Sequence, residues 1–170
     1  MTVEEDCAQA VAGLTIPKLL HRNATEFGAR PALTTLDGLE DVTLTWAELR
    51  AEVAAVTCGL DTLGLRPGDR MLIMMSARPE HWIADLAAVH VGAVPCTAYQ
   101  TLSPDQLRYL GQHSKAPVIV LEGAAELARW QPILDELPNL RSVLVLDETA
   151  IPDGDPRFHR LSDVPRRQVE

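Results

Sequence analysis

A chain of 170 residues, 46% of them hydrophobic, is large enough to bury one sizeable core. Its 24 acidic against 15 basic side chains give a formal charge of −9. Such a surface repels phosphate backbones, which argues against nucleic-acid binding, and with Lys18 and Lys115 as the only lysines there is no polybasic cluster for anionic lipid.

Residues 1–14 carry few structural signals and are expected to form a loose leader. Thr15 and Pro17 mark a helix start. Ile16, Leu19, Leu20 and Phe27 follow helical spacing, with Asn23 the polar exception, and Gly28 is placed to end the helix. The β-prone runs 32–36 and 42–45 flank Asp37-Gly38, with 39–41 lengthening the loop, and predict a hairpin.

Thr45 and Glu48 fit a capping box. Leu49, Val53, Val56, Leu60 and Leu63 then step by four and three, so one stripe of a helix faces inward. Gly64 stops it, and Leu65-Arg66-Pro67-Gly68-Asp69 is turn chemistry.

The run 70–75 is almost unbroken in apolar character, as a strand covered on both faces would be. Pro79 opens a helix with Trp82, Ile83, Leu86, Ala87 and Val89 predicted inward and Gly92 at its end. Residues 93–98 form a short strand whose Pro95 suits a strand start or an edge. Ser103 and Gln106 make a second capping box around Pro104, opening a helix with Leu107 and Leu110. Residues 118–121 are a strand, 124–130 a short helix, and 142–146 are expected to be the last strand. Strands alternating with helices predict an α/β fold: a parallel, Rossmann- or flavodoxin-like sheet flanked by helices, with an N-terminal β-hairpin. Residues 15–150 are expected to be one α/β subdomain. The Pro-, Asp-, Gly- and Arg-rich stretch 151–170 is expected to be loop or frayed tail, and its end looks more like a cut in a linker than a finished terminus.

Cys7, Cys58 and Cys96 are odd in number, widely spaced and without CxxC, which points to a reducing compartment. Glu4, Glu5 and Asp6 stand where a signal peptide would be basic. The longest apolar stretch, 83–94, is interrupted by Asp85, His90 and Gly92 and falls short of the roughly 20 residues of a membrane span. A cytoplasmic setting without a transmembrane segment is expected.

The residues themselves offer no site. There is no GxxxxGK[ST], and Gly59, Gly64 and Gly68 follow a helix at the wrong spacing for GxGxxG. His81 and Asp85 share a helix face, but His90 lies about half a turn round from His81 and no HExxH is present; a pair at a solvent edge outweighs a metal site. Ser76 follows a strand, yet lacks a glycine elbow, so loop or cap chemistry outweighs a nucleophile. Cys96 is expected to be buried and inert. Trp46, Trp82 and Trp130 could line a ligand site, but packing on the sheet is the stronger expectation. No catalytic, cofactor-binding or metal residue is assigned.

Several segments resemble the N-terminal region of the AMP-forming adenylate and acyl-CoA synthetase superfamily. Thr45-Trp46-Ala47-Glu48-Leu49 resembles that family's T-[YW]-x-E-L. Gly64-Leu65-Arg66-Pro67-Gly68-Asp69-Arg70 and the strand after it resemble G-[LV]-x-x-G-D-R-V-A-[IL]. Pro79-Glu80-His81-Trp82 and Gly92-Ala93-Val94-Pro95 fall at the family's distances, and 92–106 is most like long-chain fatty-acid–CoA ligases. The resemblance implies part of a larger ligase N-terminal domain. The parent enzyme would join a fatty acid or other carboxylate to coenzyme A through an acyl-adenylate, using ATP, Mg and CoA and releasing AMP and pyrophosphate. The family's phosphate loop, ending in Pro-Lys-Gly, has no counterpart here. The resemblance therefore implies a scaffold that binds none of these cofactors by itself and is inactive alone. It also implies possible peripheral contact with membrane in the parent. Missing neighbouring strands would leave a sheet edge through which a homo-oligomer could form. A non-catalytic binding or assembly module reusing the fold, and an unrelated flavodoxin-like ligand domain, are the competing readings.

Overall fold

The computed structural model describes residues 2–35, 42–152 and 154–163. Two helices come first: α1 (Val3–Val11) and α2 (Ile16–Glu26). Strands β1 (Pro31–Thr35) and β2 (Val42–Thr45) pair antiparallel, as the predicted hairpin requires; its Asp37-Gly38 loop lies outside the described residues. Then α3 (Trp46–Thr62), β3 (Arg70–Met74), α4 (Pro79–Val91), β4 (Val94–Thr97), α5 (Pro104–Ser114), β5 (Val118–Leu121), α6 (Ala124–Trp130), β6 (Ser142–Val145) and β7 (Phe158–Arg160) follow. The last five strands form one parallel sheet in the order β4-β3-β5-β6-β7. Numbered from β3 this is 2-1-3-4-5, the flavodoxin-like order.

The alternating pleat of β3 explains the unbroken run at 70–75. Met71 and Ile73 join a core under α3 and α4, with Leu49, Val53, Leu60, Ala87 and Ala88. Leu72 and Met74 join the opposite core, with Leu107, Leu127, Trp130 and Ile133. Both capping boxes form: the Thr45 N–H donates to Glu48 Oε2 at 2.8 Å, and the Ser103 N–H to Gln106 Oε1 at 2.8 Å. Gly92 closes α4 in the left-handed conformation at φ +87°, which a side chain would resist.

Three expectations are corrected, and one is refined. The leader contains α1, because Thr2 and Glu5 form a third capping box: the Glu5 N–H donates to Thr2 Oγ1 at 3.3 Å and the Thr2 N–H to Glu5 Oε2 at 2.8 Å. The tail contains β7, so 142–146 is not the last strand: the Val143 N–H donates to the Arg157 carbonyl at 2.8 Å, and Leu161 buries just beyond the strand. Trp82 does not face the sheet. Ile83, Ala84, Ala87 and Ala88 take the buried stripe of α4, which leaves Trp82 on the far side at 57% exposure. Gly28 stands directly after the end of α2, where the sequence placed it, without a left-handed conformation. Phe27 is the cap residue, and a Cβ at Gly28 would stand 2.7 Å from the Ala24 carbonyl oxygen, so close approach demands glycine there.

The sheet's edges are β4 and β7. Both are short, and Pro95 denies β4 one edge donor. Among the described residues no helix is long and apolar enough to cross a membrane.

Candidate functional site

In an open parallel sheet the natural ligand position lies beyond the carboxyl ends of the strands where the strand order reverses. Here that point is between β3 and β5. The chain leaves β3 toward α4 on one face, while α5 and α6 cover the other. A crevice of about 560 Å³ opens there, lined by Ser76, Arg78, Gln100, Glu122, Gly123, Glu126 and Asp147 among others.

Carboxylates already hold the donors of this crevice. Glu122 accepts the Ser76 N–H at 2.7 Å and Arg78 Nη1 at 2.9 Å. Arg78 Nε donates to Glu80 at 2.7 Å. Glu126 accepts Gln100 Nε2 at 2.7 Å and the Gly123 N–H at 3.1 Å, and Asp147 accepts the Thr149 N–H and hydroxyl at 3.0 and 2.8 Å. Burial pushes the Glu122 carboxyl upward, but the bonds from Ser76 and Arg78 together outweigh it and hold the group below its ordinary range. Arg78 is raised, first by its bond to Glu80, against the cost of burial.

Phosphate binding needs free N–H groups and positive field. The Ser76 and Gly123 amides are consumed, and Glu122, Glu126 and Asp147 face a single guanidinium, so the field of the crevice opposes an anion. The residues present do not fit the phosphates of a nucleotide. Among the described residues no group of three or more His, Cys, Asp or Glu is placed to hold a metal ion.

The other weighed residues also find local partners. His81 Nδ1 lies 3.3 Å from the Ser76 carbonyl, not its hydroxyl, and Nε2 lies 3.2 Å from Thr97 Oγ1, so Ser76 and His81 do not make a nucleophile–base pair. Asp85 is raised by burial and drawn back partly by His81. His90 Nδ1 sits 2.7 Å from the Leu86 carbonyl. Cys96 is half-buried rather than fully buried, because β4 is an edge strand. Trp130 is fully enclosed against the sheet, as packing required. Trp46 and Trp82 instead line a second hollow of about 280 Å³ with Ile16, Leu19, Leu20, Asn23, Ala32, Leu33, Leu49 and Leu86. Sequence reasoning missed the crevice, and it weighed Trp46 and Trp82 as lining residues only as the weaker reading. Glu126, three residues after the N-cap Gly123, accepts that residue's N–H and is a local signal for the crevice.

The AMP-binding enzyme family matches residues 20–168 of the chain. The chain belongs to that family. An uncharacterised protein of Mycobacterium tuberculosis, Rv1549, is 39% identical over 80 residues, which are 47% of this chain and 46% of that one. The long-chain-fatty-acid–CoA ligase FadD15 of the same species is 36% identical over 101 residues, 59% of this chain but 17% of the ligase. A structure from Rhodopseudomonas palustris named as a putative long-chain-fatty-acid CoA ligase superposes with a TM-score of 0.77 at 24% identity, covering 89% of this chain and 36% of that one. This last likeness shows the fold alone. The chain therefore matches just under half the length of one of these relatives and about a sixth of another.

Proposed function

We propose that this chain is the framework portion of an AMP-forming, long-chain fatty-acid–CoA ligase, and that the catalytic centre is built by other parts of the ligase fold. Residues 15–150 serve as one subdomain of that framework, in a cytoplasmic enzyme that uses ATP, Mg and CoA. One observation carries the reading: an AMP-binding family member whose switch-point amides are capped by its own Glu122 and Glu126. A protein that bound nucleotide at this crevice would not spend those donors internally. The similarity to FadD15 supports the fatty-acid class.

The test is ATP–pyrophosphate exchange with long-chain fatty acid, on the 170-residue chain and on the full reading frame that contains it. The chain is expected to give no saturable, acid-dependent exchange. The longer protein is expected to form acyl-CoA with preference for long-chain over aromatic acids. Turnover by the chain alone would overturn the framework reading, and preference for aromatic acids would overturn the substrate class.

A second reading, a non-catalytic binding or assembly module that reuses the fold, draws support from Rv1549. The matched 80 residues make up nearly the same share of both proteins, so a relative of similar length exists. A reading frame that ends near residue 170 would favour this reading over the first.

A further inference from the structure

We propose that Thr97 is an acyl-acceptor site, with His81 as its general base, and that it takes a small acyl group from an activated ester. The proposal is independent of the ligase reading.

Thr97 and His81 line neither the crevice nor the groove. They meet where the first turn of α4 passes the last residue of β4. His81 Nε2 stands 3.2 Å from Thr97 Oγ1, within the reach of a base on its nucleophile. The other ring nitrogen, Nδ1, stands 3.3 Å from the Ser76 carbonyl. A carbonyl only accepts, so the proton of the neutral ring sits on Nδ1. Nε2 then carries the lone pair, and the Thr97 hydroxyl donates to it. In that tautomer an imidazole can take a proton from an alcohol. Thr97 is exposed on an edge strand, so a reagent reaches its hydroxyl from solvent.

The strand also supplies a donor for the oxyanion. The Val94 and Ala98 N–H groups point inward, to the Asp69 and Ile73 carbonyls at 2.8 Å each. Strand alternation turns the Thr97 N–H outward, to the open edge of β4. In acyl transfer to a serine, the nucleophile's own N–H is one of the oxyanion donors.

Charge and access select the group that is transferred. Phosphoryl transfer is carried by cations around the phosphate oxygens. The charged group that acts on His81 is instead the carboxylate of Asp85, one turn further along α4. A neutral acyl carbonyl needs a proton acceptor and an N–H donor, and both are present. The open edge suits a short, unhindered acyl group. Thr97 Oγ1 attacks the carbonyl carbon while its proton passes to His81 Nε2. The bond from that carbon to the leaving oxygen breaks, and His81 returns the proton to the departing alcohol. The acyl group stays on Thr97 as an ester.

The test uses p-nitrophenyl acetate on the 170-residue chain, with the acetylated residues located by peptide mass spectrometry. Thr97 is expected to be acetylated roughly 100-fold faster than other exposed hydroxyls, the low end of what a positioned base supplies. His81→Ala, checked for folding by circular dichroism, is expected to lose that excess. Thr97→Val should carry no label at position 97. Thr97→Ser should keep it, which separates a missing nucleophile from a disturbed strand. Acetylation confined to cysteines, lysines or the amino terminus would overturn the proposal. So would equal labelling of Thr97 in the wild-type chain and in His81→Ala.

Discussion

Gly111, on the α5–α6 side of the sheet, leaves no room for one more carbon: a Cβ there would stand 2.9 Å from Leu137 Cδ2 and 3.2 Å from the Trp130 ring. Trp82, over the α3–α4 side, is more than half in solvent beside an open apolar groove. The two faces of one sheet are thus closed to different degrees. The crevice at the sheet's carboxyl edge is closed a third way, by ion pairs and capped amides rather than by packing. Volume alone would rank the crevice above the groove as a ligand site; the chemistry of its walls reverses that order.

The sealed face is expected to show the largest effect. Trp130 is fully buried, so Trp130→Ala is expected to cost about 3–5 kcal/mol of stability in urea unfolding. Among the described residues its Nε1 has no hydrogen-bond partner, so Trp130→Phe removes an unsatisfied donor along with some area and is expected to cost less than about 1.5 kcal/mol. Equal losses for the two variants would mean that the indole N–H is satisfied after all, and that the face is less tightly closed than its geometry indicates.

The crevice is expected to come next, and its effect should depend on pH. Glu122→Gln loses charge-assisted bonds to Ser76 and Arg78 and is expected to cost about 1–2 kcal/mol at neutral pH. The folded carboxyl is depressed, so its contribution is present above the unfolded value of about 4.3 and is lost as pH falls through the lower folded value. The stability gap between wild type and Glu122→Gln should therefore hold through neutral pH and close in acid. A gap that widens in acid would mean that burial, not Ser76 and Arg78, dominates the site.

How much of this was readable in advance follows from the range of the forces involved. The parallel sheet came from local periodicity: steps of four and three in α3, two-sided apolar runs in β3, β5 and β6; the choice between Rossmann- and flavodoxin-like strand order did not. The same T-x-x-E spelling that marked Thr45 and Glu48 also stood at Thr2 and Glu5, yet the short stretch after it has only Val3 and Val11 as large apolar residues, too thin a pattern to signal α1. β7 was hidden because three residues at an edge need little apolar character. The state of the crevice was not legible, since Glu122 meets Ser76 across 46 residues and nothing near either announces the partner. The groove was hidden for a similar reason: whether Trp82 faces the sheet depends on which of two adjacent stripes α4 buries, and small Ala84, Ala87 and Ala88 took the sheet side.

The exposed valines of α1 are expected to give the smallest effect on folding, which separates them from the sealed face and the crevice. Val3 and Val11 are solvent-exposed, so replacing them removes little buried area. Val3→Asp adds an acid to the first turn of α1 and Val11→Lys adds a base at its last residue; both complement the helix dipole by about 0.3–1 kcal/mol at most. β-Branched valine is also a weaker helix former than lysine. The unfolding free energy of the double variant Val3→Asp/Val11→Lys in urea is therefore expected to stay within about 0.5 kcal/mol of wild type. A large loss of stability would instead place Val3 and Val11 in contact with the rest of the chain, and would bring these exposed positions into line with the sealed face.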